Sequence, residues 1–276
     1  MASVSSASHT ARYAKRHPLE TLGRVGYAVK GVVYALLGVL AVDAAMGTGN
    51  PEGQQGAFQA VAGTAFGEGL LWVITVGLAA YALWRLVLAV TDPENEGDGA
   101  EGAVRRVGYV ISAGAYAALA YSAYQTVTAS GGSGGDGTEE RTQTLLGLPA
   151  GKWVVGAIAL GILGYGVYQF VRAYKASFME KFRLEGPAAR NREWVRRAGQ
   201  WGLAARGVVY LIVGSFMLQA ALQSDADEAG GLDEALATLQ QQPYGPWLLG
   251  LVAVGLVMYG VYCWTNAAYR RYEGAQ

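Results

Sequence analysis

The sequence predicts an all-α fold: an integral membrane bundle of six transmembrane helices, built as three tandem helical hairpins with pseudo-threefold symmetry about the membrane normal. Of the 276 residues, 52% are hydrophobic and only 15% are charged, whereas soluble globular proteins average roughly 25% charged residues. A bilayer core about 30 Å thick requires roughly 20 consecutive apolar helical residues. Six segments reach that length, at residues 25–46, 70–90, 107–127, 153–171, 203–222 and 247–268.

Proline positions support a helical interpretation of all six segments. All seven prolines lie outside them, as expected for helices that must satisfy their own backbone hydrogen bonds in lipid. Runs of this length are also too long for core strands, and they lack the alternation of a barrel wall. The segments are therefore predicted to be membrane-spanning helices.

Composition excludes several function classes. The 21 basic and 21 acidic side chains cancel, so no excess positive charge is available to neutralise a nucleic-acid backbone. His9 and His17 both precede the first segment, so they cannot ligate a haem within the membrane, and no metal-ligand spacing occurs. We therefore expect no nucleic-acid partner, no metal, no cofactor and no catalytic residues, which describes a non-enzymatic protein.

The distribution of Lys and Arg predicts the orientation. If the N-terminus is cytoplasmic, nearly all basic residues outside the spans lie on the inner side, and the outer loops hold only Arg141 and Lys152. This asymmetry predicts a multi-pass protein of the bacterial plasma membrane with cytoplasmic N- and C-termini. The expected partner is the bilayer itself, with anionic lipids contacting the basic stretch at 175–197 on the cytoplasmic face.

The chain repeats one hairpin three times. The odd-numbered spans begin GYAVKGVVYALLG, GYVISAGAYAALA and GLAARGVVYLIVG, and the even-numbered spans align on a glycine that lies 51, 53 and 53 residues further on. Since each copy contains two helices, every copy enters the membrane in the same direction, which predicts an axis along the membrane normal. The aligned glycines are Gly26, Gly108 and Gly202 in the odd spans and Gly77, Gly161 and Gly255 in the even spans.

The repeats define the predicted domain boundaries. A glycine-rich stretch at 130–137 is predicted to be a flexible outer linker. Apolar residues at helical spacing near Phe58 and at 232–239 predict short amphipathic helices on the outer interface. The units are an N-terminal cytoplasmic segment 1–23, repeats at 24–92, 104–175 and 200–276, and cytoplasmic linkers at 93–103 and 176–199, the second of them basic.

These motifs resemble the bacterial family known as domain of unknown function 1206, whose unit is a pair of transmembrane helices found in three tandem copies. The resemblance rests on the GYAVKGVVY and GLAARGVVY openings, on LATLQQQPYGPWLLG before the last span and on GLAAYALWRL from Gly77. It covers nearly the whole chain, although the second copy has Ser112 where the others carry Lys30 and Arg206. The resemblance implies an integral membrane protein of actinobacterial type and brings no established activity.

Six tyrosines occupy equivalent positions near the bilayer midplane, roughly 15 Å deep at 1.5 Å per residue. An unpaired hydroxyl at that depth costs several kcal/mol, so each one requires a partner. Hydrogen bonding between helices is the favoured interpretation, and a polar path or ligand pocket on the pseudo-threefold axis is the alternative. They are Tyr34, Tyr81, Tyr116, Tyr165, Tyr210 and Tyr259.

Three basic residues within the spans are the principal candidates for a binding site. Lys30 and Arg85 lie about 8 to 9 Å below the predicted cytoplasmic boundary, and Arg206 aligns with Lys30. Snorkelling of the long side chains to the headgroups is slightly favoured. The alternative is an internal basic pocket for a lipid phosphate or a small anion, because Lys30 and Arg206 share helical faces with the tyrosines.

Three polar residues align at the outer end of the odd spans: Asp43, Gln125 and Gln219. Solvation of each side chain is the favoured interpretation, and a polar ring at the mouth of a path is the alternative.

Taken together, these candidate residues predict a membrane binding or scaffold module with a cytoplasmic-side basic pocket. The alternative function is a channel or transporter for ions or small solutes along the pseudo-threefold axis.

Overall fold

The computed structural model describes residues 3–91, 99–128, 138–148, 150–182 and 190–270. Most of the predicted linker at 93–103 and the glycine-rich stretch at 130–137 lie outside these ranges. The all-α prediction is confirmed, since the described ranges contain helices and one isolated β-bridge between Phe182 and Arg270. The α-helices are α1 Ser3–Ala45, α2 Gln54–Ala62, α3 Gly67–Thr91, α4 Ala100–Thr128, α5 Thr138–Leu146, α6 Gly151–Lys175, α7 Arg192–Gln223, α8 Leu232–Gln241 and α9 Gly245–Tyr269.

Five of the long helices are apolar enough to cross a membrane, which supports the predicted membrane protein. They comprise α3, α6, α7 and α9 together with the Glu20–Ala45 part of α1. Helix α4 is 29 residues long but is not among the five, because it is rich in alanine, glycine and tyrosine rather than in leucine and valine. The structure thus supports five of the six predicted spans by length and hydropathy.

Each repeat is a long helix, a short helix and a second long helix. The predicted short helices are present as α2 and α8, and Phe58 and Leu236 on them are completely buried. The second repeat contains an equivalent helix, α5, which the sequence analysis did not identify. A short helix of the third repeat also caps a long helix of the first. The Gln240 side-chain amide on α8 donates to the Ala44 carbonyl oxygen at the end of α1 at 3.0 Å.

Different repeats pack against one another along three helix pairs, and glycines lie at two of these contacts. The closest helix pairs are α1 with α9, α3 with α4, and α6 with α7, each joining two different repeats. Gly38 on α1 lies against Val257 of α9, and Gly214 on α7 lies against Leu163 of α6, so a Cβ on either glycine would overlap its neighbour. These two contacts involve equivalent positions of the repeat. Small residues allow such close helix approach where no hydrophobic effect drives association in lipid.

Within the first and third repeats, the two long helices also pack directly. A Cβ on Gly26 would lie 2.7 Å from the Tyr81 Cβ, and a Cβ on Gly202 would lie 2.6 Å from the Tyr259 Cα. Again the two contacts are equivalent. Helices α1 and α3, and helices α7 and α9, therefore form the hairpins that the sequence predicts.

The second repeat departs from this arrangement. Among the described residues, α4 and α6 do not form a packed pair. Gly108 and Gly161 are the equivalents of the contact glycines in the other hairpins, and a Cβ on either would meet no described atom within 4 Å. The six long helices thus follow the order α4, α3, α1, α9, α7, α6, and the gap between α4 and α6 leaves the second hairpin open.

Candidate functional site

Lys30 lies inside the bundle among aromatic rings. Only 3% of the residue is exposed, and its Nζ donates a hydrogen bond to the Tyr81 hydroxyl at 3.3 Å. The same Nζ lies 4.7 Å from the ring centroid of Tyr116, 5.4 Å from that of Tyr259 and 5.9 Å from that of Tyr34. Ring faces within about 6 Å attract a cation through their quadrupole. The ammonium group is therefore held by tyrosines from four different helices.

Arg206 lies beside Lys30 and shares two of its tyrosines. Its guanidinium donates to the hydroxyls of Tyr259 and Tyr210. Its Cζ is 4.4 Å from the ring centroid of Tyr259 and 5.2 Å from that of Tyr34. The third repeat thus places an arginine at the position where the first repeat places a lysine, and both are directed towards the same rings.

Arg85 completes the group from α3. Its Nε and Nη2 both donate to the Tyr81 hydroxyl, at 3.0 and 2.7 Å, so Tyr81 connects Arg85 to Lys30. The guanidinium also lies over the rings of Trp84 and Tyr109, and the residue is half-buried. We call Lys30, Arg85 and Arg206 the cation cluster.

The described residues place no carboxylate against the cation cluster. In the part of the chain that the structure describes, no carboxylate pairs with any of its three members; the ion pairs there include Arg24 with Glu20 and Arg196 and Arg197 with Glu193. The cations instead act on one another and on tyrosines. Burying like charges without a counter-ion is costly, so an anion that entered would be stabilised by all three groups.

The preferred sequence-based interpretation of these cations is corrected by the structure. Snorkelling requires an extended side chain that reaches the headgroups, but Lys30 and Arg206 are almost fully buried. They turn inwards because equivalent tyrosines on neighbouring helices offer both ring faces and hydroxyl acceptors. Arg85, which is half-buried, also folds back onto Tyr81 of its own helix.

Five of the six predicted midplane tyrosines line the interior. Tyr34, Tyr81, Tyr116 and Tyr259 are buried, and Tyr210 is half-buried. Three hydroxyls accept hydrogen bonds from the cation cluster. Those of Tyr81 and Tyr259 accept from a cation on another helix, whereas that of Tyr210 accepts from Arg206 on its own helix. The exception to this burial is Tyr165.

Tyr165 on α6 is 42% exposed, although its equivalents Tyr81 and Tyr259 are at most 4% exposed. Its ring packs edge-on against Tyr210 at 5.1 Å, and it lies within electrostatic range of all three members of the cation cluster. Tyr165 thus combines a deep position in the predicted span with a side chain that the described residues leave accessible. The helix that carries it, α6, is one of the two that border the gap.

The predicted outer polar residues differ in exposure. Gln125 and Gln219 are exposed and Asp43 is half-buried. Among described side chains, no hydrogen bond joins one of the three to another. Their exposure is compatible with separate solvation, and the polar ring stays a prediction.

Gln169 is a residue that the sequence analysis left out of the candidate site. It lies on α6 one turn beyond Tyr165, it is completely buried, and neither its Oε1 nor its Nε2 has a hydrogen-bond partner among the described residues. Its alignment with Arg85 in the first repeat was the available signal. Buried amides are normally satisfied, so one that is not requires an explanation.

These features define a class: a helical membrane protein of three repeats, each with two long helices, whose interior carries positive charge that no described carboxylate pairs with. Within the described ranges, no group of three or more His, Cys, Asp or Glu side chains could hold a metal ion. The chain belongs to the family described as Domain of Unknown Function 1206, which matches it three times, at residues 25–92, 107–176 and 201–270.

The comparisons with individual proteins agree with this assignment. The chain is 34% identical over 257 residues to a Bacillus subtilis protein named "Uncharacterized protein YxxB", and the match covers 91% of each chain. No solved structure gives a significant match. The expected actinobacterial type has no support from this relative, which comes from Bacillus.

Proposed function

We propose that this protein is a non-enzymatic binding module of the bacterial plasma membrane that holds an anion, either a lipid phosphate or a small free anion, on the cation cluster. The observation that carries the proposal is the burial of Lys30 and Arg206 among tyrosines, with no carboxylate partner in the described ranges. Intramembrane charges that persist without a protein counter-ion mark functional positions. Ammonium and guanidinium groups form strong charge-assisted hydrogen bonds with phosphate.

The proposed topology has six spans and cytoplasmic termini, with pseudo-threefold symmetry about the membrane normal. Helix α4 is taken as the sixth span because the family matches residues 107–176 as one unit equivalent to the other two. The Lys and Arg asymmetry supports the orientation. With this topology the cation cluster lies in the cytoplasmic half of the bundle, near the headgroups of anionic lipids.

Ligand binding by the purified protein tests the proposal. Thermal unfolding and native mass spectrometry in a zwitterionic detergent would be followed with phosphatidylglycerol, inorganic phosphate and chloride. The variants are Lys30→Gln and Arg206→Gln, and the control is Arg197→Gln, an exposed arginine outside the cluster. We expect wild type and Arg197→Gln to bind one of these anions and the cluster variants to lose at least about tenfold in affinity. Equal binding by all four proteins would contradict the proposal.

The second candidate is a channel or transporter for ions or small solutes along the pseudo-threefold axis, and the accessible face of Tyr165 beside the cluster favours it. Proteoliposomes loaded for chloride, potassium and proton flux test it, with Lys30→Gln and Asp43→Asn beside the wild type. Flux that depends on these side chains would support the pathway. Wild-type flux no greater than that of empty liposomes would favour the binding module.

A further inference from the structure

The gap between α4 and α6 leaves open a surface that the other hairpins bury. In the first repeat, Val29 packs onto Gly77 and is 7% exposed. The equivalent pair in the second repeat is Ile111 and Gly161, and there Ile111 is 68% exposed and the glycine meets no described atom. The sequence therefore retains both halves of a helix contact that the structure does not form.

The gap leads to the cation cluster. Tyr116 of α4 has its ring 4.7 Å from the Lys30 Nζ, and Tyr165 of α6 packs on Tyr210, whose hydroxyl accepts from Arg206. The two helices thus border the cluster from opposite sides without meeting each other. An occupant of the gap would reach the cations between these two tyrosines.

A second observation points to a polar ligand at the same place. Gln169 lies four residues after Tyr165, on the same face of α6. Its amide is completely buried and its two polar atoms have no partner among the described residues. An unsatisfied amide one turn from Tyr165 supplies a further donor and acceptor for a bound headgroup.

We propose that the gap between α4 and α6 is a lateral binding site for an anionic phospholipid. The phosphate lies at the cation cluster and the Gln169 amide, and the acyl chains lie along the apolar surface that Ile111 and Gly161 expose. This inference rests on the proposed anion site and names its ligand and its route of entry, which is from the bilayer rather than from the aqueous phase.

Two features favour a lipid over the other occupants of such a gap. A free anion would neutralise the cations but would leave the apolar walls of the gap uncovered. A phospholipid matches both, because its phosphate pairs with the cations and its acyl chains cover the apolar walls. A helix from a second copy of this chain would cover the apolar walls but would bring no negative charge, because Asp43 is the sole acidic residue within the six predicted spans and lies at an outer end. Charge complementarity therefore selects a lipid.

The experiment fills the gap with a side chain. Gly161→Leu places a large residue in the open space, and Ile111→Trp fills the same space from α4 in case the first variant does not fold. The matched control is Gly69→Leu on α3, since a Cβ there also meets no described atom within 4 Å and α3 is not one of the two helices that border the gap. Lipid-free melting temperature and monodispersity check the folding of each variant.

Phosphatidylglycerol, phosphatidylcholine and inorganic phosphate are titrated into each protein in detergent, with native mass spectrometry as the readout. We expect wild type to retain phosphatidylglycerol over phosphatidylcholine by at least about tenfold. The gap-filling variants should lose about tenfold or more of phosphatidylglycerol affinity and keep inorganic phosphate binding within about twofold, with Gly69→Leu unchanged.

The other outcomes separate this inference from the proposed function. If phosphatidylglycerol binding needs Lys30 but survives both gap-filling variants, or if inorganic phosphate binds and the lipid does not, the lateral site is wrong and the anion site stands. If neither anion binds, the proposed function fails and the inference with it. A dimer that the gap-filling variants abolish would identify a second copy as the occupant and overturn the lipid.

Discussion

Replacing Lys30 with methionine distinguishes a ligand-binding cation from one that holds the fold together. Methionine keeps the length and apolar volume of the stem and removes the charge. In the unliganded protein the change deletes the 3.3 Å hydrogen bond to the Tyr81 hydroxyl and the attraction of the surrounding rings. It also removes a desolvated charge that repels Arg85 and Arg206.

These terms oppose each other, so the net effect on unliganded stability is small. A hydrogen bond to a charged group contributes about 1.5–3 kcal/mol, and a buried ion without a counter-ion costs a comparable amount or more. We therefore expect the lipid-free free energy of unfolding to change by no more than about 1 kcal/mol, or to rise. A cation needed only for the fold would instead cost about 3 kcal/mol or more when removed.

The liganded protein should respond differently. Loss of one charge-assisted hydrogen bond to a phosphate raises the Kd by roughly 10- to 150-fold. At a lipid concentration 100 times the wild-type Kd, binding stabilises the wild type by about 2.7 kcal/mol. A 100-fold weaker variant retains about 0.4 kcal/mol of this, which lowers the lipid-dependent rise in melting temperature by roughly 5–9 °C.

The assay is thermal unfolding of wild type and Lys30→Met in detergent, with and without phosphatidylglycerol. The exposed Arg197→Gln variant serves as the control for general loss of positive charge. The reasoning is refuted if Lys30→Met melts well below the wild type without lipid and gains as much as the wild type when lipid is added, because the lysine would then be a structural group alone.

Three further predictions concern packing and polar satisfaction. Gln169→Leu removes a buried amide that has no partner among the described residues, so it should raise lipid-free stability by about 1 kcal/mol while weakening phosphatidylglycerol binding; a fall in stability would show that the amide is satisfied. Gly38→Val inserts carbon into a close helix contact and should destabilise the protein by about 1–3 kcal/mol, whereas Gly114→Leu in open space should leave the melting temperature unchanged. Tyr259→Phe removes a hydroxyl that accepts from a buried guanidinium and should cost about 1–3 kcal/mol, compared with no measurable change for the exposed Tyr121→Phe; equal effects in urea unfolding would contradict the assigned hydrogen bond.

The fold class and the repeat were predictable because both depend on local information. A run of apolar residues long enough to span lipid is visible in one dimension, and identity between copies aligns Gly26 with Gly202 without any coordinates. Helix α5 was missed because its sequence, TEERTQTLL, is mostly polar and gives no apolar periodicity of the kind that revealed the helices near Phe58 and at 232–239.

The candidate site was predictable in its members but not in its geometry. Periodicity put Lys30 and Tyr34 on one helical face, and the repeat put Arg206 at the same depth. Depth alone does not determine whether a long basic side chain extends towards the headgroups or towards the bundle interior, so the sequence slightly favours snorkelling. Ring faces contributed by helices distant in sequence decided the inward direction, since Tyr116 and Tyr259 both lie over Lys30.

By itself the sequence determined that this is an all-α membrane protein of three repeats with basic residues and tyrosines at matching depths, because hydropathy and periodicity are properties of each segment alone. Only the tertiary structure decided that the second hairpin is open. Gly108 and Gly161 have the same residue type and spacing as their equivalents, so nothing local distinguishes them. Whether another helix packs against a given glycine depends on the arrangement of all six long helices. Helices α4 and α6 pack on α3 and α7, respectively, instead of on each other.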